Sequence, residues 1–167
     1  MFRNKKYILM NLLFSLLFVL LVAADRITKN LAVNYLKGSE KELIPGFFSL
    51  HYLENPGAAW GILPNATWLF AAITIVVLAA MIYFYGKLPL KRKYHLLRFT
   101  LILLSAGAIG NFIDRILWRY VVDFLYFKYI NFPVFNVADC YVCIAAGLLI
   151  YCLLFRYKEE DFLWKKK

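Results

Sequence analysis

The chain has 167 residues, 63% of them hydrophobic and 19% aromatic, and its mean hydropathy is +0.63. A soluble domain holds about 45–50% apolar residues, so this composition excludes a water-soluble globule and implies a membrane protein. The net charge of +10 is divided among short segments, which makes a nucleic-acid surface a poor reading.

Four segments read as membrane spans, at about 7–24, 66–85, 96–113 and 135–156; roughly 20 residues cross the hydrocarbon core. The first begins with Arg3, Lys5 and Lys6 and ends in Val22-Ala23-Ala24, like a secretory leader. Its apolar run exceeds the roughly 7–15 residues of such a region, so a retained helix is predicted. No Gly or Pro intervenes before Gly38, so this helix is predicted to continue beyond the membrane. Asp25 and Lys29 then fall one turn apart, as an i,i+4 pair on an exposed helix end worth about 0.2–0.5 kcal/mol.

Residues 38–65 form a longer loop. After the Pro45-Gly46 turn signal, Phe48, Leu50 and Tyr52 alternate with Ser49 and His51, which predicts a short strand or hairpin arm. Asn55-Pro56-Gly57-Ala58-Ala59-Trp60 follows. Its small residues permit close backbone approach, and Trp60 suits a membrane interface. The 86–95 loop carries Pro89 and Lys91-Arg92-Lys93 and reads as a topology signal, with Arg98 expected to snorkel to the interface. In the third span Ala106, Gly107 and Gly110 let a neighbouring helix come close and fix Asn111 beside it.

Between the third and fourth spans, Trp118, Tyr120, Phe124, Tyr126, Phe127, Tyr129, Phe132 and Phe135 predict an interfacial or membrane-embedded loop with a lipid-facing rim. The last helix starts near Asn136, where Asn136 and Asp139 resemble a capping box with Asp in place of Glu. Asp139 is the only formal charge from Tyr129 to Phe155. Cys140, Cys143 and Cys152 read as small packing residues, and 158–167 as a solvated charged end. There are no repeats and no separate soluble domain, so 1–167 is read as one integral-membrane domain.

With both termini and the 86–98 loop inside, the inner side holds 13 Lys/Arg and three acids, and the outer side seven of each. The positive-inside rule therefore places both termini in the cytoplasm. The predicted fold is an all-α membrane protein of four transmembrane helices with a small β-like extracytoplasmic cradle formed by 38–65.

Polarity gathers on the outer side: Asp25, Lys29, Asn55, Asn111, Asp114, Arg115, Asp123, Asn136 and Asp139 all fall at outer helix ends or in outer loops. His51 is the only outer histidine and no His-Glu-x-x-His is present, so a metal centre is not expected. The serines lack a nucleophile-elbow context, and a Cys140–His51 dyad rests only on both residues existing. Acid–base chemistry by carboxylates remains. Asp123 is the natural candidate to meet Asp139, because two carboxylates at low dielectric share a proton and divide acid and base roles. A small proton-coupled transporter would instead spread its acids through the membrane depth, and a non-catalytic lipid-binding subunit should tolerate Asn at both positions.

Five blocks carry a resemblance: Asp25-Arg26-Ile27-Thr28-Lys29, Asn55-Pro56-Gly57-Ala58-Ala59-Trp60, Gly110-Asn111-Phe112-Ile113-Asp114-Arg115, Val121-Val122-Asp123-Phe124 and Phe135-Asn136-Val137-Ala138-Asp139. In this order they resemble the motifs of bacterial lipoprotein signal peptidase (signal peptidase II), over about residues 7–156. The resemblance implies an intramembrane aspartic protease that cuts diacylglyceryl-modified prolipoproteins just before the lipid-bearing cysteine. It places the catalytic pair at Asp123 and Asp139. Asn55, Gly57, Gly110, Asn111, Arg115, Asn136 and Ala138 become supporting or substrate-binding residues, and Asp25, Lys29 and Asp114 structural polar ones. Cys140 is a departure, standing where relatives often carry a small hydroxyl residue. No cofactor or metal is expected. The expected partners are lipid-modified prolipoproteins and membrane lipids, without nucleic acid. The chain is expected to act as a monomer, multi-pass in the bacterial cell membrane, with its site at the extracytoplasmic face.

Overall fold

The computed structural model describes residues 2–57, 63 and 66–162, with side chains in the first helix described at residue 5 and from residue 8 onward. Ala58, Ala59 and the expected interfacial Trp60 lie outside the described residues.

Helix α1 (Phe2–Leu36) is unbroken, because good helix formers fill it and Gly38, at φ +82°, supplies the left-handed exit that ends it. A hairpin follows, β1 (Glu40–Ile44) and β2 (Phe48–Asn55), turning at Gly46 with φ +68°. Helix α2 (Thr67–Lys87) and helix α3 (His95–Trp118) run back and forth. Arg119 at φ 65° then turns the chain into β3 (Val121–Phe127), and α4 (Val137–Tyr151) completes the bundle. The strands form one antiparallel sheet in the order β1-β2-β3.

Among the described residues, four helical segments are long and apolar enough to span a bilayer: Ile8–Leu36, Thr67–Lys87, Arg92–Trp118 and Val137–Arg156. Half of the apolar window of the third is buried, against 6% for the first and 17% for the second and fourth. Helix α3 is thus the central post, and α1, α2 and α4 each pack on it. Leu12, Leu16, Ile82, Ile150 and Leu154 turn outward, more than half exposed, as lipid-facing side chains should.

The 121–127 segment departs from the expected aromatic loop. Val121, Val122, Asp123 and Phe124 are all buried, so the segment lacks the alternation that marks a strand with one wet face. Its ladder to β2 and the bridge from Leu125 to Phe135 pair both of its edges. One sheet face packs on α1, where Val122, Phe124 and Leu50 meet Ala32 and Leu36.

Arg98 also departs from expectation. It is 3% exposed and does not reach the interface: its guanidinium donates to the Leu88 carbonyl at the end of α2 and lies 4.6 Å from the Tyr85 ring centroid. The carbonyls that end a helix need donors, and Arg98 supplies one from inside.

Candidate active site

Helix α4 opens with the capping box that its sequence predicts. Asn136 Oδ1 accepts from the Asp139 N–H at 3.0 Å, and the Asn136 N–H donates to Asp139 Oδ2 at 3.0 Å. The cap does not exhaust either side chain. Asn136 Nδ2 donates to Asp123 Oδ1 at 2.6 Å and to Asn111 Oδ1 at 3.1 Å. Asn111 Nδ2 donates to Asp139 Oδ1 at 2.7 Å, and Asn55 Nδ2 donates to Asp123 Oδ2 at 2.9 Å. Each of the four carboxylate oxygens of Asp123 and Asp139 therefore accepts one amide N–H.

The amides are themselves oriented. Asn111 Oδ1 accepts from Lys29 Nζ at 2.8 Å, which turns its NH₂ group toward Asp139. Asn55 Oδ1 accepts from the Gly57 N–H at 3.0 Å, and the Gly57 carbonyl accepts from Arg115 at 3.2 Å. The Arg115 guanidinium also lies 5.1 Å from the Phe70 ring centroid, so it links the loop after β2 to α2 and α3.

Behind the carboxylates lies a second polar layer. Asp25 and Lys29 are fully buried, and this corrects the exposed helix end expected for them. Lys29 Nζ pairs with Asp25 at 3.0 Å and with Asp114 at 2.9 Å. Asp114 also pairs with Arg26 and accepts from the Val122 N–H at 3.3 Å. Asp25 Oδ1 accepts from the Ala138 N–H at 3.0 Å. These contacts stitch α1, α3, β3 and α4 together where β3 delivers Asp123 and α4 delivers Asp139. Arg26 is the member that the sequence reading passed over, although it sits inside the first block beside Asp25.

The packing is close enough to demand small residues. A Cβ on Gly107 would meet the Ala138 carbonyl oxygen at 2.5 Å, and one on Gly110 would meet Asp25 Oδ2 at 2.5 Å and the Ala138 Cβ at 3.1 Å. Ala106 and Ala138 are fully buried beside them.

Asp123 and Asp139 open on a shared cavity of about 430 Å³. Asn55, Asn111 and Arg115 supply its other polar groups; Phe127, Phe132, Phe135 and Val142 supply much of the apolar remainder. Cys140 and Cys143 line it too, while Cys152 is buried in the core at the other end of the bundle. His51 does not meet Cys140; it lies 3.6 Å from Glu40 on the hairpin. Asp123 is pushed up to about 7, first by burial and then by the negative charge of Asp139, against the opposing bonds from Asn55 and Asn136. Two adjacent carboxylates in a mostly apolar cavity, one holding its proton near neutrality, can exchange protons with a bound water and a carbonyl.

Known proteins are similar to this chain in sequence and in fold. The profile described as "Signal peptidase (SPase) II" matches residues 17–155. A lipoprotein signal peptidase of Streptococcus pyogenes serotype M6 is 42% identical over 151 residues, covering 90% of this chain and 96% of that protein. The corresponding protein of serotype M5 is 41% identical over the same shares. Two solved structures are described as a bacterial membrane enzyme obtained by the in meso method. The one at 2.3 Å resolution superposes with a TM-score of 0.76 at 37% identity, covering 92% of each chain. The one at 1.9 Å gives 0.74 at 38% identity, over 86% of this chain and 94% of that one. The chain belongs to the signal peptidase II family of membrane peptidases.

Proposed function

We propose that this protein is an aspartic endopeptidase that removes the signal peptide from diacylglyceryl-modified prolipoproteins, cutting just before the lipid-bearing cysteine, with Asp123 and Asp139 as its catalytic pair. The observation that carries the reading is the fixing of both carboxylates: one amide donor on each of four oxygens, on a shared cavity at one end of the helices.

The pair shares one proton. The ionised member takes a proton from a bound water as the water oxygen attacks the scissile carbonyl carbon. The protonated member gives its proton to the carbonyl oxygen. The resulting diol collapses when a proton passes to the amide nitrogen, the C–N bond breaks, and a carboxyl and an amine leave. Asn55, Asn111 and Asn136 hold the carboxylates in place through this cycle, so little reorganisation accompanies the reaction.

The substrate's apolar signal helix enters laterally between spans, and its acyl chains stay in lipid. The basic residues from Lys87 to Lys93 and the basic ends support a topology with both termini in the cytoplasm, in which the site faces outward at the outer surface of the bacterial cell membrane; the proposed working unit is a monomer. The sheet forms the cradle over the cleft. A transporter would carry its acids across the membrane depth, whereas Asp25, Asp114, Asp123 and Asp139 meet at one end of the bundle.

The test is a gel-shift assay with purified protein and one prolipoprotein, with and without its diacylglyceryl group. Cleavage of the lipidated form alone, with the lipidated cysteine becoming the new amino terminus by mass spectrometry, supports the reading. A well-folded protein that cleaves neither form contradicts it.

A further inference from the structure

A second cavity, of about 580 Å³, opens on the sheet beside the catalytic one. The two share Asn55, Phe132, Pro133 and Val134 as walls. They therefore meet at Asn55, whose amide donates to Asp123 at 2.9 Å. From Asn55 strand β2 runs back to His51, which also lines the second cavity. That distance is about 13 Å, the length of four extended residues. Across the cleft, the Tyr126 hydroxyl donates to Asn131 Oδ1 at 2.7 Å and ties the 131–134 segment to β3 as the dividing wall.

The formal charge lining this cleft has one sign. Glu40 and Glu54 line it, and no Lys or Arg does so among the described residues. Their side chains are 32% and 40% exposed, so an incoming group can reach both. Lys128 pairs with Glu40 at 3.1 Å and also with Glu42, while Lys37 pairs with Glu54 at 3.1 Å. Two lysines outside the cleft thus serve three acids. Lys41, between Glu40 and Glu42 in β1, alternates to the other face of the strand. A negative excess is left toward the cleft, next to the carboxylates of the catalytic pair.

We propose that this cleft seats the first four residues after the lipid-bearing cysteine and selects neutral or basic side chains over acidic ones there, with Glu40 and Glu54 making the selection. The inference rests on the peptidase reading above, which fixes where the substrate chain is cut. On the signal-peptide side of the cut the chain is apolar and stays among the spans. On the other side it belongs to the mature protein and has to leave the membrane outward. The cleft starts at the catalytic cavity, lies on the sheet outside the spans, and carries polar groups along the length of a short extended segment. An acidic residue in that segment meets like charge at Glu40 and Glu54, and a basic one meets opposite charge; specificity is this difference.

The test uses the purified full chain and three diacylglyceryl-modified prolipoproteins that differ only in the four residues after the cysteine: all Ser, two Lys with two Ser, or two Glu with two Ser. The expected order of kcat/KM is Lys above Ser above Glu. The extremes should differ about fivefold to tenfold, through KM more than kcat, and the difference should shrink as salt rises. Glu54→Lys should reduce the Lys-to-Glu ratio at least about threefold, and Lys41→Gln, outside the cleft, should leave it unchanged. A second measurement needs no turnover. A benzophenone side chain at the third residue after the cysteine, irradiated with the Asp139→Asn variant, should attach to Leu53, Glu54, Tyr126 or Pro133, and one at the fifteenth residue should not. Equal kcat/KM for the three substrates, a preference for the acidic one, an unchanged ratio in folded Glu54→Lys, or attachment away from the cleft would overturn the proposal. Cleavage of none of the substrates by wild type would overturn the catalytic reading, while the attachment site still decides where this segment lies.

Discussion

Asn136 donates its side-chain amide to Oδ1 of Asp123 at 2.6 Å. The same residue caps α4 and, through its main-chain N–H, holds Asp139 Oδ2 at 3.0 Å. One residue thus joins the strand that carries the first carboxylate to the helix that carries the second. Loss of an N-cap side chain costs about 1 kcal/mol, which a membrane protein of this size survives. Asn136→Ala is therefore predicted to lower the melting temperature modestly and to lower kcat by about 100-fold or more, as loss of a preorganised donor does. Parallel thermal unfolding and turnover measurements check it; equal and small losses in both would reduce Asn136 to a cap.

The position of Asp123 near 7 predicts a pH dependence with a defined sign. If its proton is the one delivered to the carbonyl, single-turnover cleavage declines as pH rises through about 7. The Asn55 N–H bond favours the ionised form and opposes the upward push of burial and Asp139. Asn55→Ala should therefore move the alkaline limb to higher pH while lowering the maximum. Stability follows the same logic. Between the ordinary 3.8 and about 7, folded Asp123 keeps a proton that the unfolded chain has released. Its contribution to stability therefore falls as pH rises through that window and levels off above it. Melting temperature measured against pH should lose this component in Asp123→Asn.

Three glycines separate packing from propensity. Gly107→Ala and Gly110→Ala each drive a methyl group into the Ala138 carbonyl or the Asp25 carboxylate and should cost about 1–3 kcal/mol as overpacking does, with activity falling alongside. Gly147 has nothing within 4 Å of an added Cβ, so Gly147→Ala in α4 should be neutral or stabilise by up to about 1 kcal/mol. Thermal unfolding of the three variants in one detergent ranks them.

Lys29 lies between two buried carboxylates, 3.0 Å from Asp25 and 2.9 Å from Asp114. Breaking a buried pair by removing one partner costs about 3–5 kcal/mol, so Lys29→Ala should sharply lower folded yield and melting temperature. Asp114→Asn keeps size and one acceptor, and Asp114 touches neither Asp123 nor Asp139 through any hydrogen bond described. It should impair folding more than the chemical step, so the surviving folded fraction should cleave in a single turnover at close to the wild-type rate. A single-turnover rate as low as that of Asp123→Asn would instead make Asp114 part of the chemistry.

Much of this arrangement was legible in the residues, and the remainder was hidden for identifiable reasons. The spans follow from uncharged length, and the cap at Asn136 from its spacing to Asp139. The close helix approach follows from Ala106, Gly107 and Gly110. The third strand was illegible because Val121, Val122, Asp123 and Phe124 are buried in succession, so its sequence carries no period of two, and its aromatic neighbours imitate an interfacial loop. Asp25 and Lys29 imitated an exposed ion pair because i,i+4 spacing reports a shared helix face and not what covers that face. Arg98 imitated a snorkelling residue because the carbonyl it serves belongs to Leu88, at the end of another helix. The four-amide cradle depends on side chains from β2, α3, β3 and α4, and sequence order alone does not bring those together.

The most direct test of the proposed catalytic pair is single-turnover cleavage of a diacylglyceryl-modified prolipoprotein by wild type, Asp123→Asn and Asp139→Asn. Each variant is first shown to be folded and membrane-inserted by its melting transition in detergent. The account predicts that both variants fold and that cleavage by each falls by at least about 1,000-fold, the scale on which removal of a catalytic side chain acts. Cleavage at near wild-type rate by either folded variant would contradict the pair and leave the remaining carboxylate to act with some other group in the cavity.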